Sequence, residues 1–332
     1  MTGGGEGSKT TEPSGSATAP TARSRHHVIW VDLLLYPTHS IPTAIAPVLV
    51  GVGLAIRDGV FAFWPALAGF LGSWVIHVAG VFTDNHELLR RHPAIVEHPE
   101  LTEAVNDGTL RLGTLRLAIG GCLALAFATF PYLYSVGGAP VVLFGAVGIV
   151  ASLSYHGAPF AYVRRGLADP IFFVMFGVVG VVGTYYIQLA ATRGAPAPWD
   201  LLLGLPPSVF VAGLPAGAIV TAVMLIDDVR DVAFDAAKGW RNGAVRFGAQ
   251  FVRDEITALV AFAYVVPFGL WLGLGLGPGT LVPLLSVPLA WRTASAVRAR
   301  RERARLHPLT PAMARLAVVH SALLAAGLAL FR

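Results

Sequence analysis

LIDDVRDVAFDAAKGWRNGAVRFG, residues 225–248, follows a long apolar run without a break and places Asp228, Asp231 and Asp235 at i, i+3 and i+7. On a continuing helix these three carboxylates share one face. Stacked at the end of an apolar helix, they are costly to hold without cations. Small hard cations such as Mg²⁺ take oxygen ligands and commonly keep phosphate oxygens in their shell, so the pattern points to a site for a metal-chelated phosphate. The plainer alternative is a solvated helix end paired with Arg230, but three spaced carboxylates with Asp227 alongside exceed what capping needs.

Composition sets the class of the chain around this stretch. Of its 332 residues 55% are hydrophobic and 13% charged, and the mean hydropathy of +0.65 is that of a polytopic membrane protein. The lone Cys122 lies in an apolar run, so neither a disulfide framework nor a cysteine metal site is available. Residues 1 to about 27, rich in Gly, Ser, Thr, Ala and Pro, read as a disordered polar tail without the apolar core of a signal peptide. Residues 28–332 are expected to form a single transmembrane domain.

Nine segments have the length and apolarity for a bilayer crossing: about 38–57, 61–83, 113–133, 139–155, 168–190, 207–227, 254–274, 278–296 and 312–331. The fourth is short and the eighth rich in Pro. The expected fold is therefore all-α, nine transmembrane helices bundled around a central cavity. His26–Tyr36, with Trp30 and Asp32, suits an interfacial position before the first crossing.

Charge then orients the bundle. Of the 24 Lys and Arg, all but Arg57, Arg193 and Arg332 fall in the tail or in and beside the loops after segments two, four, six and eight. The positive-inside rule places the N-terminus and those loops in the cytoplasm and the C-terminus outside, in a multi-pass cell-membrane protein. This distribution accounts for the net charge of +5 by topology and not by nucleic acid. The acidic residues follow the same split, which no topology rule requires: Asp84, Glu87, Glu97, Glu100, Glu103 and Asp107 lie in or beside the loop after segment two, and Asp227 to Asp235 at the loop after segment six. Chemistry is expected at the cytoplasmic face.

Segment two ends GVFTDNHELLRRHP, residues 80–93, with Asp84 and Glu87 at i, i+3 on one helical face where apolar sequence gives way to polar. The alternative for this pair is a solvated helix end neutralised by Arg90 and Arg91. Two acidic sets at the cytoplasmic ends of two crossings suit two Mg²⁺ ions gripping a diphosphate across a cavity, with Asp84 and Glu87 holding one and Asp228, Asp231 and Asp235 the other.

At these residues the chain resembles the UbiA superfamily of intramembrane prenyltransferases. DDVRDVAFDAAKGWRNGAVRFG, residues 227–248, is similar to that family's N-D-I-R-D-x-x-x-D-x-x-x-G-K-R-T-x-A-V-R-L-G. IPTAIAPVLVG (41–51), RRGLADPIFFVMFGVVGVVGTYYIQ (164–188), LVPLLSVPLAWR (281–292) and LHPLTPAMARL (306–316) look like the menaquinone-pathway branch, which prenylates 1,4-dihydroxy-2-naphthoate. The resemblance covers roughly residues 30–331. It implies nine transmembrane helices, an isoprenyl diphosphate and an aromatic or quinone-like acceptor as partners beside membrane lipid, and Mg²⁺ as cofactor. The first motif departs from the family's N-D-x-x-D-x-x-x-D, since Thr83, Asp84, Glu87 and Arg91 occupy its four named positions, and the following Arg-Pro-Leu segment is replaced.

Further residues complete the expected site. Arg230 within the second motif, Lys238 and Arg241 beyond it, Arg164 and Arg165 after segment four, and Arg91 are positioned to bind diphosphate or the departing pyrophosphate, although topology alone explains many arginines. Tyr155, His156, Tyr162 and Asp169 border the same region, and His77 lies inside segment two, where a polar ring normally faces the bundle interior. The run Arg298–Arg305 reads as a lipid-surface contact.

The implied chemistry is electrophilic alkylation, with Asp228, Asp231 and Asp235 as the catalytic carboxylates. Two other readings stay open: a membrane terpene cyclase using the same diphosphate, and a non-enzymatic carrier or channel, against which the one-sided clustering of acids argues.

Overall fold

The computed structural model describes residues 40–94 and 99–331, all of whose regular elements are helices. The expected polar tail, the interfacial segment His26–Tyr36, Glu97 and the first residues of the first crossing lie outside the described residues, as does the side chain of Glu100.

Among the described residues eight helices are long and apolar enough to cross a membrane. We label the elements α1 (Ser40–Arg57), α2 (Phe63–Arg91), α3 (Pro99–Asn106), α4 (Leu112–Gly137), α5 (Ala139–Leu153), α6 (Ala168–Arg193), α7 (Pro207–Arg230), α8 (Val232–Ala237), α9 (Ala249–Leu272), α10 (Pro278–Ala299) and α11 (Leu309–Leu330). The remaining expected crossing, the fourth, is α5, with only 15 residues. At about 1.5 Å per residue that is short of a full hydrocarbon core of about 30 Å. It is joined to α4 through Gly138 alone, whose φ of 66° permits the reversal that Pro140 then locks into a new helix start. The proline-rich α10 begins as a 3-10 helix, Pro278–Ser286, and becomes α-helical from Val287.

The sequence expected residues 97–107 to be an acidic loop, and the structure turns part of it into α3. Leu101 and Ala104 of this helix are buried against α2 and α4, while Glu103 and Asp107 stay on its outer side.

α7 is the axis of the bundle. Every residue from Pro215 to Ile226 is buried, as suits a helix apolar on all faces. The outer α4, by contrast, buries only Leu115, Ala126 and Gly137 and leaves Leu117, Leu125 and Phe127 exposed. α7 meets α6 through glycines: a Cβ on Gly213 or Gly217 would come within 2.1 Å or 2.5 Å of the backbone oxygen of Gly177 or Phe173. Small residues of this kind let helix backbones approach closely in a membrane. The facing stretch of α6, Phe173–Val179, is wound as a π-helix, a local distortion frequent at functional sites.

α2 has 29 residues, about 44 Å at the standard rise, so it overshoots the hydrocarbon core. Its last turns, Asp84 to Arg91, therefore reach the bilayer edge, where Asp84 lines the same cavity as the end of α7.

Candidate active site

The second acidic motif is not one continuous helix. α7 stops at Asp231, whose φ of −107° and ψ of 14° leave the helical region, and α8 restarts at Val232. The break corrects the expectation of a single face, but the carboxylates still converge. Asp227, Asp228, Asp231 and Asp235 all line one cavity of about 1120 Å³, and Asp84 of α2 lines the same cavity. Beyond this acidic end the lining turns apolar through Phe176 and Phe130 to Leu133 and Val141, which flank the Gly138 turn at the far ends of α4 and α5. One end suits a charged headgroup and the rest a hydrocarbon chain.

The four acids of the second motif differ in their partners. Asp228 is buried, and its Oδ2 meets no hydrogen-bond donor. Asp231 accepts from Arg230 at 2.8 and 2.5 Å and from Arg303 at 2.8 Å. Burial would raise the carboxyl of Asp231, but the Arg230 and Arg303 guanidiniums outweigh it and hold it below the usual carboxylate range. Asp235 pairs with Lys238 at 2.9 Å and accepts from the Asn242 amide at 2.8 Å. Asp227 accepts from Arg230 at 2.5 Å and from the Thr310 hydroxyl at 2.7 Å.

At the first motif Asp84 and Glu87 part company. Asp84 meets the Nδ1 of His156, in the loop between α5 and α6. Glu87, one turn on, is not among the cavity-lining side chains and accepts from Arg90 at 2.8 and 3.2 Å and from Arg91 at 2.5 Å. Arg91 is thus exposed and turned to Glu87.

Of the other expected residues, Lys238, Arg230, Tyr155 and His77 line the cavity. Tyr155 sits edge-on to His156, with ring centroids 4.5 Å apart. Burial, then the nearby Asp228 carboxylate, raise its phenol well above the ordinary value, so it remains a neutral hydrogen-bond donor. His77 meets Phe176 of the π-helical stretch edge-on at 5.6 Å. Arg164 donates to the His156 carbonyl at 3.4 Å, Arg165 and Arg241 are exposed, and none of these three lines the cavity.

Three residues acquire places that sequence alone did not provide. Arg303 belongs to the run read as a lipid contact, and the structure corrects this: its guanidinium turns inward to Asp231, 72 positions away. Trp240 lines the cavity and carries the Lys238 ammonium 3.6 Å from its ring centroid. His156 packs against Trp240 with centroids 4.3 Å apart; burial, then Lys238 and Arg164, lower its imidazole well below the ordinary value and keep it neutral. The only sequence signal for the last two was their nearness to the motifs.

Residues 44–318 match the model of the UbiA prenyltransferase family. The chain belongs to this family. It is accordingly a multi-pass membrane protein and a prenyltransferase. It is 28% identical to a 1,4-dihydroxy-2-naphthoate octaprenyltransferase of Mycobacterium tuberculosis, over 81% of this chain and 87% of that protein. A protein of the same description from Escherichia coli is 23% identical over 66% of this chain and 68% of its own length. Among solved structures, a UbiA homolog from Aeropyrum pernix K1 superposes with a TM-score of 0.66 at 15% identity, covering 85% of this chain and 96% of that one. A UbiA homolog from Archaeoglobus fulgidus bound to DMAPP and Mg²⁺ gives a TM-score of 0.54 at 15% identity, over 88% and 98% of the two chains. These structures carry the fold.

Proposed function

We propose that the protein transfers an isoprenyl group from its diphosphate to an aromatic or quinone-precursor acceptor of the 1,4-dihydroxy-2-naphthoate type, in a Mg²⁺-dependent reaction at the cytoplasmic face. The observation that carries this reading is the single cavity with carboxylates from both motifs at one end and apolar walls along the rest. The description of the mycobacterial relative supplies the acceptor class.

The donor set fits Mg²⁺. It consists of hard carboxylate oxygens, and one of them, the buried Oδ2 of Asp228, has no hydrogen-bond partner. Asp228, Asp231 and Asp235 would hold one Mg²⁺, and Asp84 would contribute to a second. Among the described residues no three His, Cys, Asp or Glu side chains are already gathered as a cage, and substrate oxygens would complete the shell. Bound Mg²⁺ supplies Lewis-acid neutralisation of the diphosphate as charge develops on it.

The chain's own groups do the rest. Lys238 and Arg230 are ion-paired with the carboxylates and remain beside them as positive partners for phosphate oxygens. Their positive charge favours cleavage of the allylic C–O bond because it lies where the leaving pyrophosphate gains charge. The apolar walls receive the prenyl tail and exclude water, so the electron-deficient carbon meets the acceptor carbon before it meets water. The neutral Tyr155 hydroxyl at the cavity wall is a donor for orienting the acceptor.

The test is incubation of purified protein with Mg²⁺ and a panel of isoprenyl diphosphates, with and without naphthoate and benzoate acceptors. The expected result is pyrophosphate release that depends on a naphthoate acceptor and yields a prenylated aromatic. Acceptor-independent release with a hydrocarbon product would instead identify a cyclase, and no release would refute both.

A further inference from the structure

Trp240 stands where the motif quoted above has lysine, and its surroundings give it a defined task. The residue is 7% exposed, lines the cavity, and belongs to the segment between α8 and α9. Its ring meets three partners from three parts of the chain: the Lys238 ammonium at 3.6 Å, the His156 ring at 4.3 Å, and edge-on at 6.5 Å His92, which ends α2. The same indole therefore touches the second motif, the residue that meets Asp84, and the end of the helix bearing the first motif. Its Nε1–H is buried without a hydrogen-bond acceptor, an arrangement that a folded protein rarely leaves in place unless a ligand completes it.

Lys238 is held by the Asp235 carboxylate at 2.9 Å and by the indole face, among its partners. Cations drawn to the acidic cluster compete for the carboxylate. They do not compete for the indole face, because the ammonium already covers it. A desolvated ammonium over an indole is held strongly enough to stay when the ion pair weakens.

We propose that Trp240 is the residue that positions the diphosphate end of the substrate: its ring keeps the Lys238 ammonium at the acidic mouth of the cavity, and its Nε1–H donates to a phosphate oxygen. This deepens the prenyltransferase reading and rests on it. The lysine that the motif has at position 240 is thus replaced in this chain by a lysine two residues earlier and an aromatic platform that aims it.

The experiment is calorimetric titration of the purified protein with inorganic pyrophosphate in the presence of Mg²⁺, beside steady-state prenyl transfer. Trp240→Phe keeps a ring face and loses the N–H; Trp240→Met keeps an apolar side chain and loses both. The expected result is a roughly threefold to fivefold weaker pyrophosphate Kd in Trp240→Phe, the scale of one neutral hydrogen bond. Trp240→Met is expected to weaken it roughly a hundredfold, the scale of a desolvated cation–π contact with that bond added. The KM for the prenyl diphosphate should rise in parallel while the KM for the acceptor stays put, a split that a general loss of packing does not produce. Unchanged pyrophosphate binding in both variants overturns the proposal, and equal losses in both overturn the role of the ring face. Should Trp240→Met fail to melt like the parent in detergent, Trp240→Phe decides alone, with an unchanged Kd as the refuting result. Pyrophosphate binding is read without turnover, so a parent protein that binds it but transfers no prenyl group refutes the function and leaves the Trp240 result standing.

Discussion

The two acidic clusters both begin with carboxylates at i and i+3, and the structure treats them differently. At the end of α7 the helix breaks, so Asp228, Asp231 and Asp235 all reach one cavity although α8 runs separately from α7. At the end of α2 the helix continues to Arg91, and of its two carboxylates only Asp84 lines the cavity. Glu87 is surrounded by Arg90 and Arg91, both exposed. The carboxylates of the second motif converge on one cavity in spite of the break, whereas those of the first are divided by which partners their side chains meet. Asp228, buried with an unsatisfied oxygen, is at one extreme and Glu87, saturated by two guanidiniums, at the other.

The comparison breaks most sharply at Asp228. Asp228→Ala is expected to lower kcat/KM for prenyl transfer by about three orders of magnitude, on the scale of losing a central electrostatic group, with membrane insertion intact. Full activity in a Mg²⁺-dependence assay would remove the second motif from the site. Next in size is the contrast within α2. Asp84→Asn should cost about a hundredfold in the same assay, and Glu87→Gln less than about tenfold, because Glu87 acts on its arginines outside the cavity. Equal losses would make the two positions equivalent and refute the distinction drawn from the structure.

The smallest expected effect is on stability. The folded-state pKa of Asp231 lies below its unfolded value. Its ionised form therefore contributes stability that is present above the ordinary carboxylate range and lost as pH falls through the folded pKa. Arg303→Met removes one of the two guanidiniums and moves the folded value back toward the ordinary one. Acid-side loss of melting temperature in metal-free protein should then be smaller and end at a higher pH than in the parent, by a small margin because Arg303 is 35% exposed and partly screened by water. An identical pH profile would show that Arg230 alone holds Asp231.

Much of this protein is legible from its chain. Crossing segments announce themselves because roughly 20 apolar residues have few alternatives to a membrane, and eight of the nine expected spans are found at full length. The fourth, α5, is apolar throughout but short, since Gly138 and Pro140 begin it one residue after α4 ends. Lys238 and Tyr155, which line the cavity, were legible as candidates because they lie within a few positions of a motif or a crossing end. Arg303 was not, because a cationic run at a membrane face looks the same whether its members meet lipid headgroups or a buried aspartate 72 positions earlier. Trp240 was equally opaque, and His156 was legible only as bordering the region: an aromatic at a crossing end has the same local pattern as an interfacial anchor, and only their packing at 4.3 Å shows a shared wall.

What the chain alone determined is the class of molecule, because hydropathy dictates a helical bundle, and through its motif the family; carboxylates crowded at apolar ends point further, to a cation-linked anion site. What the tertiary structure alone decided is which of those carboxylates share a cavity and which cations face them. Periodicity follows one helix at a time, whereas the break at Asp231, the approach of α2 and the inward turn of Arg303 depend on how separate helices pack, through contacts between residues far apart in sequence.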